Sequence, residues 1–155
     1  MAHFERAAEG GHAEAQLRLG EMLEGGEGVP RDTAAAAQQY RAAIAQRGGD
    51  HTEHTAANNL GELLVAEAVR GGGGGGDGSD GGEGNANPAA SATSSPKWAE
   101  AQRFFERAAG AGFVGAQYNL GQMRLVEGDA EGAREWLSQA AEQEHAEAAR
   151  SLATL

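Results

Sequence analysis

The chain has no cysteine, which excludes a disulfide framework, a thiolate metal site and a cysteine nucleophile. Basic residues are scarce, 12 Lys and Arg against 23 Asp and Glu, for a net charge of −11. Phosphate backbones and anionic membrane surfaces are held by basic patches, so neither nucleic acid nor such a membrane is an expected partner. Aromatic residues make up 5% of the chain, too few for a large aromatic core. No apolar run approaches the roughly 18 residues of a membrane span. The opening Met1-Ala-His-Phe-Glu-Arg6 has neither the apolar centre of a signal peptide nor a transit-peptide bias. A soluble intracellular protein, cytoplasmic by default, is expected.

What the chain does have is a phrase said four times: Ala15-Gln-Leu-Arg-Leu-Gly20, Ala56-Ala-Asn-Asn-Leu-Gly61, Ala116-Gln-Tyr-Asn-Leu-Gly121 and Ala148-Ala-Arg-Ser-Leu-Ala153. A small residue, then three positions, then Leu and a second small residue is the pattern of two helices touching closely. A second phrase alternates with it: Phe4-Glu-Arg-Ala-Ala8, Tyr40-Arg-Ala-Ala43, Phe105-Glu-Arg-Ala-Ala109 and Leu137-Ser-Gln-Ala-Ala141. The residues closing the first phrase are 41, 60 and 32 positions apart. Setting aside a 26-residue Gly-rich insert, 71–96, brings the long interval into the range of the other two. Helical units recurring every thirty to forty residues are the signature of an α-solenoid.

The helices follow from apolar spacing and punctuation. Ala15, Leu19 and Met22 lie at i, i+4 and i+7, predicting a first-type helix over 12–24 that Gly25-Gly-Glu-Gly-Val-Pro30 ends. Asp32 or Thr33 is the expected N-cap of a second-type helix running to 46. The same pair recurs as 52–70 with 97–110, where Pro96 opens a helix anchored by Trp98 and Phe104, and as 113–126 with 129–143. A further first-type helix spans 145–155. Residues 2–9 read as the tail of a second-type helix. One domain is expected, divided into a half-repeat at 2–11, repeats at 12–47, 52–110 and 113–143, and a half-repeat at 145–155. Leu152 and Leu155 would lack a neighbour, so the chain is expected to be a piece of a longer array.

The strings Ala7-Ala-Glu-Gly-Gly-His-Ala-Glu-Ala-Gln-Leu-Arg-Leu-Gly20, followed by Gly26-Glu-Gly-Val-Pro-Arg-Asp32, and Ala108-Ala-Gly-Ala-Gly-Phe-Val-Gly-Ala-Gln-Tyr-Asn-Leu-Gly121 closely resemble the Sel-1-like repeat, a relative of the tetratricopeptide repeat. The likeness covers almost everything outside the insert. It departs at Gly48 to His54, which is expanded, at the short turn Glu127-Gly-Asp129, and at Ala153 in place of a final Gly. The resemblance implies an all-α, superhelical stack of antiparallel helix pairs whose first-type helices line a concave face. Carried over position by position, that face would present Glu14, Leu17, Glu21 and Glu24, then Thr55, Asn58, Glu62 and Val65, then Tyr118, Gln122 and Leu125. Asn119 shares with Tyr118 the variable part of its phrase, where individuality would lie.

The insert holds ten Gly and three acidic residues with no aromatic and no basic residue. It cannot bury enough apolar surface to offset its ordering entropy, so it is expected to be disordered. Gly75-Gly-Asp-Gly-Ser-Asp80 matches the start of a calcium-binding nonapeptide, but the following copy, Gly81-Gly-Glu-Gly-Asn-Ala86, loses the Asp that a stacked site shares. Lys97 lies too far from the glycines for a phosphate loop. His51 and His54 stand three apart without a third ligand, which reads as a helix start on the surface. His12 and His145 occupy equivalent positions near helix starts, suggesting capping or packing. Ser95-Pro96 offers a weak phosphorylation site. No catalytic constellation, metal or cofactor is expected.

The expected function is therefore non-enzymatic: an adaptor or scaffold holding a protein or peptide on its concave face. The face mixes acidic and apolar side chains, so a guest with basic and apolar residues fits it. The alternatives are a structural subunit of a large assembly, or an accessory repeat domain of a longer, catalytic protein.

Overall fold

The computed structural model describes residues 12–46, 51–71 and 92–155. Among them are seven helices and no strand: α1 Ala13–Gly25, α2 Thr33–Ala45, α3 His51–Gly71, α4 Pro96–Gly110, α5 Val114–Glu127, α6 Ala130–Glu142 and α7 Ala146–Leu152. The expected helix at 2–9, and residues 72–91 of the expected disordered insert, lie outside the described residues. The two ends of the insert lie inside them and differ from the expectation. Gly71 closes α3, and Ala92 is fully buried in the main core.

Local chemistry sets the helix ends. Asp32 caps α2 by accepting from the Ala35 N–H at 2.9 Å, and Asp129 caps α6 through the Gly132 N–H at 2.9 Å. Each satisfies one of the N–H groups that a helix start leaves without a backbone partner. Ser95 caps α4 with Pro96 in its first turn, where a missing N–H costs nothing. His145 caps α7, its Nδ1 accepting from the Ala148 N–H at 3.2 Å. The equivalent His12 makes no side-chain cap on α1. Gly26 and Gly128 end α1 and α5 in the left-handed conformation, which glycine adopts without a Cβ clash.

Each helix packs on the next in the chain, and α1 also packs on α3 and α3 on α5. This is the connectivity of an α/α superhelical solenoid, with first-type helices α1, α3 and α5 side by side and α2, α4 and α6 behind them. One core runs from Leu17 through Tyr40, Leu60 and Phe105 to Leu120 and Met123. A second holds Ala133, Leu137, Ala140 and Ala148. Burying each large side chain contributes about 1.5–3 kcal/mol.

The repeated phrase is where the two layers meet. A Cβ built on Gly20 would sit 2.5 Å from Tyr40 Cε1, one on Gly61 2.5 Å from Phe105 Cε1, and one on Gly121 2.6 Å from Leu137 Cγ. Each large residue of the second phrase thus fills the space its glycine leaves open in the preceding first-type helix. Tyr40, Phe105, Leu60, Leu120 and Leu137 are the largest fully buried side chains. The sequence expectation named Phe104 as an anchor of α4. Phe105 takes that place, because successive helical residues point about 100° apart and only one can face α3. Phe104 is half-buried beneath the Arg41 guanidinium, 5.9 Å from its ring centre.

Candidate protein-binding face

Three clefts follow one another along α1, α3 and α5, and they collect eight of the eleven residues carried over from the repeat pattern. The first, about 260 Å³ between α1 and α3, is lined by Glu14, Leu17, Glu21 and Thr55. The second, about 220 Å³, contains Glu24 and Glu62 with Arg31, Glu67 and Arg70. The third, about 270 Å³ between α3, α4 and α5, contains Glu62, Val65 and Gln122 with Ala66, Trp98, Phe105, Asn119, Met123 and Val126. Glu62 belongs to both of the latter two.

The carboxylates along this face differ in how far they are engaged. Glu21 pairs with Arg18 at 2.9 Å. Glu24 accepts the Tyr40 hydroxyl at 2.7 Å, and its carbonyl accepts from Arg31 Nε. Burial, reinforced by that bond to Glu24, pushes the Tyr40 hydroxyl far above its usual pKa, so it stays a donor. Glu67 pairs with Lys97 at 2.8 Å. Glu62, like Glu24, is held by neutral donors: Asn58 Nδ2 and Asn119 Nδ2 each reach its Oε1 at 2.9 Å.

Three of the carried-over residues lie outside these clefts. Asn58 is only 7% exposed, and its Oδ1 accepts from Asn119 Nδ2 at 3.0 Å. It joins α3 to α5 within the fold. Tyr118 stacks on the His145 ring with centres 4.6 Å apart, and its hydroxyl reaches Glu147 at 3.4 Å. Leu125 packs against the second core. Both therefore meet the last two helices.

Sequence reasoning missed Trp98, Ala66 and Val126 as cleft residues. Trp98 reads as an anchor and is one: its indole N–H donates to Glu127 Oε1 at 2.7 Å, fixing the ring so that it also lines the third cleft. Val126 carries a usable signal, an apolar residue off the core stripe in the last turn of α5, and it is 47% exposed. His51 and His54 fall in the first turn of α3, one residue earlier than expected. The His51 ring lies 5.7 Å from that of Phe113. Among the described residues no group of three or more His, Cys, Asp or Glu is placed to hold a metal, and no helix is long and apolar enough to cross a membrane.

Comparison with known proteins accords with the all-helical fold. The family described as Sel1 repeat matches residues 1–12, 13–47 and 114–145, together just over half the chain. Among solved structures, a Sel1 repeat protein from Oxalobacter formigenes superposes with a TM-score of 0.62, at 24% sequence identity, over 99% of this chain and 97% of the other. That likeness is one of fold. No curated protein matches the sequence.

Proposed function

The chain belongs to the Sel1 repeat family, and on that premise we propose that it is an adaptor or scaffold that holds a protein partner on the face of α1, α3 and α5. Sel1 repeats are protein-interaction modules. The observation that carries the finer reading is the row of three clefts along the first-type helices. There Glu14, Glu21, Glu24, Glu62 and Glu67 outnumber Arg18, Arg31 and Arg70, and Leu17, Leu63, Val65 and Met123 supply apolar surface. A face of this kind complements a segment with basic and apolar side chains. In this reading the protein positions its partner and performs no turnover. The concave side of the stack is the proposed docking surface, and Glu14, Leu17, Glu21, Thr55, Glu62, Val65 and Gln122 are its proposed contacts.

Selection from a displayed random peptide library tests this. Binders are expected to be enriched in Lys, Arg and large apolar residues and to weaken as salt rises. Substituting Glu14→Lys together with Val65→Asp is expected to abolish their capture while far-UV circular dichroism stays unchanged. Acidic or composition-neutral binders, or full capture by the double variant, would overturn the assignment.

A further inference from the structure

The third cleft differs from the other two in its floor. Trp98, Phe105 and Met123 are almost entirely buried yet reach its surface, while Val126 and Ala66 form an exposed lip. Its volume, about 270 Å³, lies at the lower limit of the roughly 300–1,000 Å³ of small-molecule and cofactor sites. It matches one or two large side chains inserted from a partner, the anchor from which a protein interface draws much of its affinity.

At its rim Glu62 forms no ion pair with the described residues, whereas Glu67 in the adjoining cleft pairs with Lys97 and Glu127 pairs with Arg124. Asn58 and Asn119, from two different helices, both donate to its Oε1. Two amide donors orient the carboxylate without neutralising it, leaving a fixed negative charge beside an apolar hole in a chain of net charge −11.

We propose that the α3–α4–α5 cleft receives one large apolar side chain of a protein partner, and that Glu62 pairs with an Arg or Lys beside that side chain. This rests on the reading of the α1, α3 and α5 face as a protein-binding surface and specifies where the anchor enters. Asn58 acts as a positioning residue, setting the direction of the Glu62 carboxylate from outside the cleft, and Asn119 orients the same carboxylate while also lining the cleft.

The test uses three acetylated heptapeptides in which a Leu has Arg, Ala or Glu two positions away. The Trp98 indole N–H signal is followed by ¹H–¹⁵N NMR in the full chain. The Arg peptide is expected to shift that signal saturably, and to bind about threefold tighter than the Ala peptide, the scale of one partly exposed ion pair. The Glu peptide should bind weakest. Glu62→Gln keeps an acceptor for the two asparagines and loses the charge, so it should erase the preference for Arg, bringing the Arg and Ala peptides to the same affinity. Ala66→Trp should fill the cleft and abolish the shift with all three peptides; Val126→Lys provides an independent block at the lip.

An unmoved indole with every peptide, or an Arg preference that survives Glu62→Gln, would overturn the proposal. The wider reading fails separately. Shifts at Leu17 and Thr55 with Trp98 unmoved would leave the face standing and reject this cleft, whereas no shift anywhere on α1, α3 and α5 would reject both.

Discussion

Gly61 and Phe105 occupy each other's space: a Cβ on the glycine would lie 2.5 Å from the ring's Cε1 and 2.7 Å from its Cζ. Gly20 stands in the same relation to Tyr40, and Gly121 to Leu137. The glycines are therefore the contact surface between the two helix layers. Helical propensity alone would favour Ala there by about 1 kcal/mol.

Gly61→Ala should lower stability by about 1–3 kcal/mol, because overpacking against a rigid buried ring outweighs the propensity gain. Gly121→Ala should cost a similar amount, since the added Cβ meets the Cγ and backbone N of the fully buried Leu137. Gly110, with nothing within 4 Å of its added Cβ, is the control, and Gly110→Ala should be neutral or stabilising. Urea unfolding of the three variants checks the order. A cost at Gly110 equal to the other two would contradict the packing account.

How much of this was legible follows from the range of each interaction. The positions of Ala56, Leu60 and Gly61 on α3 follow from helical spacing alone, and the alignment of Tyr40, Phe105 and Leu137 marks them as equivalent. Which ring covers which glycine depends on residues up to 44 positions apart and emerges only with the fold. Asn58 looked available to a partner because its repeat position faces outward. Asn119, 61 residues later, closes over it, and no periodicity encodes a side-chain hydrogen bond between repeats. The third cleft was hidden for a similar reason, since Trp98 belongs to the second layer yet lines the face of the first.

The connections α4–α5 and α6–α7 are the same turn. Phe113 N–H bonds to the Ala108 carbonyl at 3.0 Å, and His145 N–H bonds to the Ala140 carbonyl at 3.1 Å. The left-handed position is Gly112 in one, at φ 84°, and Glu144 in the other, at φ 65°. A side chain there costs about 1–2 kcal/mol, and glycine's larger unfolded-state entropy returns part of that. Glu144→Gly should therefore stabilise the chain by about 0.5–1 kcal/mol in thermal or denaturant unfolding. Destabilisation would show that the Glu144 side chain contributes something the turn geometry does not.

Two ion pairs set the scale of electrostatic effects. Arg107 bonds to Glu53, whose side chain is 5% exposed, whereas Arg150 and Glu147 are 78% and 63% exposed at 3.9 Å. Removing a partner from a buried carboxylate leaves it under-solvated. Arg107→Ala should thus cost about 1–3 kcal/mol, and Arg150→Ala nothing measurable. Denaturant midpoints decide, and similar costs at both sites would contradict the burial argument.

The Tyr40 hydroxyl, raised in the folded state by burial and by Glu24, makes stability depend on alkaline pH. A pKa raised by folding adds stability that is complete below the unfolded value, about 10, and is lost as pH climbs above it. Unfolding free energy should therefore begin to fall near pH 10, and Tyr40→Phe should flatten that fall. At 295 nm, the absorbance of one of the chain's two tyrosines should rise only as the protein unfolds. Both tyrosines ionising in the folded chain near pH 10 would contradict the buried Tyr40–Glu24 bond.

The proposed function stands or falls on α1, α3 and α5 presenting the binding surface. The tightest basic–apolar peptide from a displayed library, added to the isotope-labelled 155-residue chain, tests it by mapping backbone and indole NMR shifts. Perturbations are expected to concentrate at Glu14, Thr55, Glu62, Val65, Gln122 and the Trp98 indole. Perturbations confined to the outer residues of α2, α4 and α6 would contradict it.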